Sequence, residues 1–309
     1  MLHLVYEGSI LRRTSERPVH PVAYESQQIM TTIASPRETK SDGLGQTHRT
    51  DRWWIGPLLT ALGLGGFGVY ATFRAFYPTI VDSVGYFQYG HGAIEPYVPP
   101  NNDATHSYLL SPFFSPLIVF PFLPAWVSPA IFILWAPGGF RLTCYYYRKA
   151  YYRAFFADPP GCAVGEGRKK YQGETRLFLF QNLHRYFLYV AIIFLVLLSV
   201  DVVHSAMWPT VDGRTTFGVS VGTLVLVLNV LLLGLYTFSC HSFRHLIGGN
   251  LDCFSCAKFG SQRYGAWKGV SILNQQHMLF AWLSLFWVGF SDLYVWMVSS
   301  GRWTDFRIF

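Results

Sequence analysis

The residues able to do chemistry in this sequence are cysteine and histidine. Cys240-His241-Ser-Phe-Arg244-His245 sets two imidazoles at i and i+4. On a helix that spacing puts both on one face, where they can meet one metal ion. Cys253-Phe-Ser-Cys256 is a C-x-x-C, a spacing that lets two thiolates meet one ion. Thiolates favour zinc and iron–sulfur clusters, and imidazole suits both. A set of two Cys and two His is therefore a structural zinc or a Rieske-type [2Fe–2S] cluster, and spacing alone does not separate them. A haem b is the third option. It would be clamped between histidines on different helices, His184 with His241 or His245.

The elements that must position these groups are membrane spans. Charged residues make up 13% of the 309, hydrophobic residues 51% and aromatics 18%. Soluble domains carry about 25% charged residues, so this chain cannot cover a globule of its size with a soluble surface. The apolar content excludes a disordered protein. A nucleic-acid binder is not expected despite the net charge of +7, because the positive residues gather at one membrane face. Five cysteines, an odd number, in a chain of this kind do not read as a disulfide framework. Five apolar stretches, about 53–77, 127–156, 176–207, 217–247 and 272–300, each exceed the ~20 residues a bilayer core requires. The stretch from Phe113 to Ala125 is short and holds Pro116, Pro121 and Pro124; it reads as interfacial. The expected architecture is an all-α, multi-pass integral membrane protein, a five-helix bundle over 51–309 behind a disordered tail, 1–50. Either Met1 or Met30 could be the true start, and no signal peptide precedes the first span.

Lys and Arg give the orientation. They are dense before Trp53, absent from Pro78 to Trp126, dense again from Arg148 to Lys170, reduced to Arg214 after the third span, and back at Lys258, Arg263 and Lys268. The bias alternates at every crossing, which places the N-terminus in the cytoplasm and the C-terminus outside, opposed only weakly by Arg302 and Arg307 beyond the fifth span. On that topology Cys144, Cys162, His184, Cys240, His241, His245, Cys253, Cys256 and His277 all fall at the cytoplasmic face. Only His204 lies at an outer span end; His91 and His106 are in the outer loop. Titratable groups within membrane helices are costly and are functional candidates by default. Gly63-Leu-Gly65-Gly66-Phe-Gly68 matches a dinucleotide fingerprint, but it sits inside a span with no preceding strand, so it reads as helix packing. The tyrosines from Tyr145 to Tyr152 mark a membrane boundary.

Several stretches carry a resemblance: Tyr171-Gln-Gly-Glu174-Thr-Arg176, Gln181-Asn-Leu-His184-Arg185-Tyr186-Phe187, Ser239-Cys240-His241-Ser-Phe-Arg244-His245 with Gly248-Gly249, Asn274 to His277-Met278, and Asp292-Leu-Tyr294. Over roughly 127–309 the chain resembles the membrane-anchor subunit of succinate dehydrogenase (respiratory complex II), in the actinobacterial type that holds a Rieske-type cluster in the membrane. The resemblance implies a plasma-membrane anchor that passes electrons to quinone. A flavoprotein subunit and an iron–sulfur subunit would dock on its cytoplasmic face and carry succinate oxidation. The resemblance also allows a homo-oligomer of the whole complex. The expected ligands are His241 and His245 on one iron, with His184 in reserve. Cys162 and Cys240 are expected on the other, with Cys253 and Cys256 as rivals. The quinone is expected near the cytoplasmic ends of the third to fifth spans, met by His277, Arg185, Tyr186 and then Arg244. Two other readings stand beside this: a haem-b anchor of the same complex, and a non-redox membrane protein with a structural zinc.

Overall fold

The computed structural model describes residues 43–80, 93–94, 108–118, 128–166, 178–210, 214–300 and 302–309. Most of the N-terminal tail, Met30, His91, His106, Arg168 to Lys170 and the Tyr171–Arg176 motif lie outside them. Eight α-helices are described: α1 Ile55–Ile80, α2 Pro129–Thr143, α3 Tyr145–Phe155, α4 Phe178–Ser205, α5 Val221–Phe238, α6 His241–Arg244, α7 Gly260–Gln275 and α8 His277–Ser299, with a π-helical turn at His245–Gly249. Two short antiparallel pairs accompany them. Ala93–Ile94 (β1) pairs with Leu109–Leu110 (β2), and Met207–Pro209 (β3) with Thr215–Phe217 (β4). α8 packs on α5, α4 on both α2 and α5, and α1 on α3.

Among the described residues four helical stretches are long and apolar enough to cross a membrane: Ile55–Phe76, Leu183–Ser205, Val221–Phe238 and His277–Ser299. The expected second span is present as two helices. Ser128 caps α2 by accepting the Ala130 N–H, with Pro129 at the first helical position. The helix stops at Cys144, whose backbone is extended (φ −61°, ψ 131°). At 1.5 Å per residue, the 15 residues of α2 reach only about 22 Å, short of a ~30 Å hydrocarbon core.

The other two boundary changes follow the same pattern. The fourth span was expected to run to 247, but α5 ends at Phe238 and Cys240 is again extended (φ −69°, ψ 148°). The fifth was expected to start at 272, but Gln276 (φ −101°, ψ 13°) separates α7 from α8. Three helix breaks therefore lie beside Cys144, Cys240 and His277. The small-residue reading of Gly63–Gly68 holds at Gly63, where an added Cβ would meet Trp282 at 2.9 Å, but Gly66 and Gly68 face open space. A closer approach is at Gly139, where a Cβ would meet the Phe187 ring at 2.2 Å.

The opposite end of the bundle is locked by polar contacts. Asp292, fully buried on α8, receives Arg74 Nε (2.7 Å), Tyr70 Oη (2.6 Å) and Ser111 Oγ (2.6 Å). Ser115 donates to Asp201. Asp305 accepts the Gly222 N–H and the Tyr294 hydroxyl, both at 2.8 Å, so a carboxylate sits at the positive N-terminal end of α5. Outside the spans, Arg49 pairs with Asp51, and the hydrogen bond between them holds the Asp51 carboxyl below its usual range.

Candidate functional site

The three breaks, with the unbroken α4, bring two cysteines and two histidines into one core, each cysteine against one histidine. Cys144, between α2 and α3, is 2% exposed, and Cys240, between α5 and α6, is 0% exposed; both belong to one cluster with Phe140, Tyr147, Leu188 and Tyr236. His184 on α4 sets Nε2 at 3.6 Å from Cys240 Sγ. His277, the first residue of α8, sets Nε2 at 3.4 Å from Cys144 Sγ. Each imidazole stacks on an aromatic ring. His184 lies on Phe140 at 4.7 Å between ring centres, and His277 lies on Tyr236 at 5.1 Å. Those two rings in turn meet edge to face at 5.4 Å.

The hydroxyls beside the two rings suit the tautomer with the proton on Nδ1. Thr143 Oγ1 donates to the Gly139 carbonyl (2.7 Å), so toward His184 Nδ1, 2.9 Å away, it accepts. Ser239 Oγ donates to the Tyr236 carbonyl (3.1 Å) and accepts from His277 Nδ1 at 2.8 Å. With the hydroxyls donating to those carbonyls, both rings carry the proton on Nδ1, and in each the Nε2 lies beside a sulfur. Metal-binding histidines are held in this way, with the far N–H donated to a fixed acceptor. Cys240 Sγ also accepts the Phe243 N–H at 3.4 Å.

A cation stands beside the group. Arg141 donates from Nη1 to the Tyr147 hydroxyl (2.6 Å) and the Ala281 carbonyl (3.3 Å), and from Nη2 to Ser284 (3.1 Å). Its guanidinium lies 4.7 Å over the Tyr236 ring. The Tyr236 hydroxyl is buried with no hydrogen-bond partner. A mainly apolar cavity of about 200 Å³ opens beside Phe140, Arg141, Tyr236 and Thr237.

The other expected site residues fall elsewhere. Cys162 is exposed in the loop after α3, where its carbonyl accepts from Arg49 at 2.8 Å. Cys253 and Cys256 are joined to each other as a disulfide before α7. His241 is exposed on α6. His245 remains i+4 from it, donating its N–H to the His241 carbonyl, but its ring meets Arg185 Nη2 at 2.7 Å. Tyr186 is exposed. Arg244 donates to Ser271 at 2.8 Å and stacks on Trp267. Among the described residues no three Cys, His, Asp or Glu side chains converge on one point, the arrangement a lone zinc ion would need. Two residues at the centre, Cys144 and Arg141, were not among the expected site residues. The signal for Arg141 was a lone cation inside an apolar stretch.

The family model of the actinobacterial succinate dehydrogenase subunit SdhC matches residues 55–301. A chain in the solved structure of the Mycobacterium smegmatis Sdh1 complex in the apo form is similar at 39% identity and a TM-score of 0.69; the match covers 89% of this chain and 97% of that one. A comparison with curated proteins gave no match.

Proposed function

This chain belongs to the actinobacterial SdhC family of succinate dehydrogenase membrane subunits, and from that premise we propose that it passes electrons to quinone through a Rieske-type [2Fe–2S] cluster held by Cys144, Cys240, His184 and His277. It is a membrane subunit of the succinate dehydrogenase complex. The flavoprotein and iron–sulfur subunits of that complex are its proposed partners.

The observation that carries the reading is the gathering of two thiols and two imidazoles in one buried core. Two buried thiols and two buried imidazoles have the donor set of such a cluster. The Thr143 and Ser239 hydroxyls meet both rings at Nδ1, which leaves each Nε2 on the side of a thiol. His241 and His245 fit less well, because one is exposed and the other is engaged by Arg185. A haem clamped between His184 and His277 fits less well too, since each Nε2 faces sulfur across less than 4 Å. When bound, the cluster supplies one-electron transfer at a potential raised by its imidazole ligands. The chain's own residues orient the ligands, exclude water through Phe140, Tyr236 and Leu188, and place the Arg141 charge nearby.

With both nitrogens of His277 engaged, the quinone ring is assigned to the other expected residues, Arg185, Tyr186 and Arg244. The purified complex tests the reading as a whole. It should contain acid-labile sulfide and show a low-average-g EPR signal. Arg185→Ala should lower kcat/KM for quinone by about ten-fold or more, the loss expected for a hydrogen bond from a charged donor, with that signal intact. A haem spectrum in place of the EPR signal would overturn the cluster. The same reading has α2 and α3 together complete a fifth crossing, with the N-terminus in the cytoplasm and the C-terminus outside. A reporter joined after Phe309 should be active only on the outer side of the membrane; activity in the cytoplasm would exclude five crossings.

A further inference from the structure

α3 and the loop behind it enclose a polar cavity that the redox site does not use. It has a volume of about 300 Å³ and is lined by Tyr145, Arg148, Lys149, Tyr152, Arg153 and Asp158, among others. The spacing builds it. Tyr145 and Lys149, Arg148 and Tyr152, and Lys149 and Arg153 are each i and i+4 on one helix. The Asp158 N–H bonds back to the Tyr152 carbonyl at 3.2 Å and closes the loop over that face.

Arg148 is 3% exposed and Asp158 5%. Buried charges are as a rule paired or fully hydrogen-bonded. Here Arg148 Nη1, Arg153 Nε and Asp158 Oδ1 are buried with no hydrogen-bond partner. Asp158 is in neither ion pair found among the described residues. Donors and an acceptor thus line one cavity without satisfying each other, so the missing partner must both accept and donate. Three cations against one carboxylate favour a ligand of net negative charge.

We propose that this cavity binds the headgroup of an anionic phospholipid, with its phosphate held by Arg148 and Arg153 and a headgroup hydroxyl donated to Asp158. Arginine meets phosphate through parallel charge-assisted bonds, and basic pockets at the cytoplasmic ends of membrane helices suit lipid headgroups. The surroundings fit a lipid better than a free anion. Leu142, Tyr145, Phe155 and Phe156 are exposed large apolar side chains on the same stretch of chain, where acyl chains would lie. Asp158 selects a headgroup with a hydroxyl, such as glycerol, over a bare phosphate. The proposal rests on the membrane setting of α3 and not on the cluster.

The test uses the whole complex, purified and stripped of lipid by detergent exchange. Native mass spectrometry would follow binding of dioctanoyl phosphatidylglycerol, dioctanoyl phosphatidic acid, glycerol 3-phosphate and inorganic phosphate. The wild type should retain phosphatidylglycerol best. Arg148→Gln with Arg153→Gln should lower its retention by about ten-fold or more, since two charged donors are lost. Asp158→Asn should narrow the preference for phosphatidylglycerol over phosphatidic acid, and this variant carries the test if the double one fails to assemble. Unchanged lipid retention in both variants would overturn the proposal. So would protection by inorganic phosphate equal to that by lipid, which would mark a free-anion site. Loss of the iron–sulfur subunit with lipid retention unchanged would instead make the cavity a subunit contact and also overturn it.

Discussion

The Cys144→Ser/Cys240→Ser double variant is expected to lose the low-average-g EPR signal and, with it, succinate-to-quinone turnover. Serine keeps the size of the side chain but removes the thiolate, which is the metal ligand. Succinate oxidation with a soluble dye should persist, because that chemistry is assigned to the partner subunits. Cys162→Ser and the Cys253→Ser/Cys256→Ser pair should leave the signal in place: the first sulfur is exposed, and the other two are bonded to each other. Removing an orienting hydroxyl should act more mildly. Thr143→Val or Ser239→Ala leaves an Nδ1–H without its acceptor, and losses of that kind cost about 10–100-fold in metal affinity or activity. A signal that survives the double variant but vanishes in His241→Ala/His245→Ala would return the assignment to His241 on α6 and His245 in the π-helical turn.

The largest effect on stability is expected at Arg74. Arg74→Met leaves the Asp292 carboxylate buried with only the Tyr70 and Ser111 hydroxyls to hold it. Breaking a buried pair by removing one partner costs about 3–5 kcal/mol. The complex should therefore unfold at a markedly lower temperature, while the EPR signal of the surviving folded fraction stays unchanged. Arg74→Met/Asp292→Leu should recover part of the loss, because no charge is then left unpaired. Recovery stays partial, since the two hydroxyls lose their acceptor. If Arg74→Met unfolded no earlier than the wild type, the ion pair would not be what fastens α1 to α8.

The apolar runs around α1, α4, α5 and α8 were legible in the sequence because each span must satisfy its own backbone in lipid. Of the cysteines and histidines that the sequence assigns to one face, the structure draws Cys144, Cys240, His184 and His277 into one core. Their pairing was not legible, because it depends on contacts across 56 and 133 residues, which no local spacing reveals. The i, i+4 pair His241 and His245 is the better local chelate on paper. The extended backbone at Cys240 separates it from the span, and His241 ends up exposed. Reading 127–156 as one continuous span hid the turn at Cys144 that presents its thiol. Pro137 was visible in the sequence, but α2 runs through it to Thr143, so the proline gave no warning of where the break falls.

The separation of Cys144 from His277 also sets an order of biogenesis. The four proposed ligands come from four stretches of chain, and the last imidazole begins α8. A ribosome that has delivered α1 to α6 has made both cysteines and His184 but not the group that faces Cys144. On the proposed ligand set, cluster delivery would wait until α8 has been threaded and folded back against α2, where Arg141 meets the Ala281 carbonyl and Ser284. A chain arrested before residue 277 would hold three of the four proposed ligands, with the Cys144 thiol lacking its imidazole.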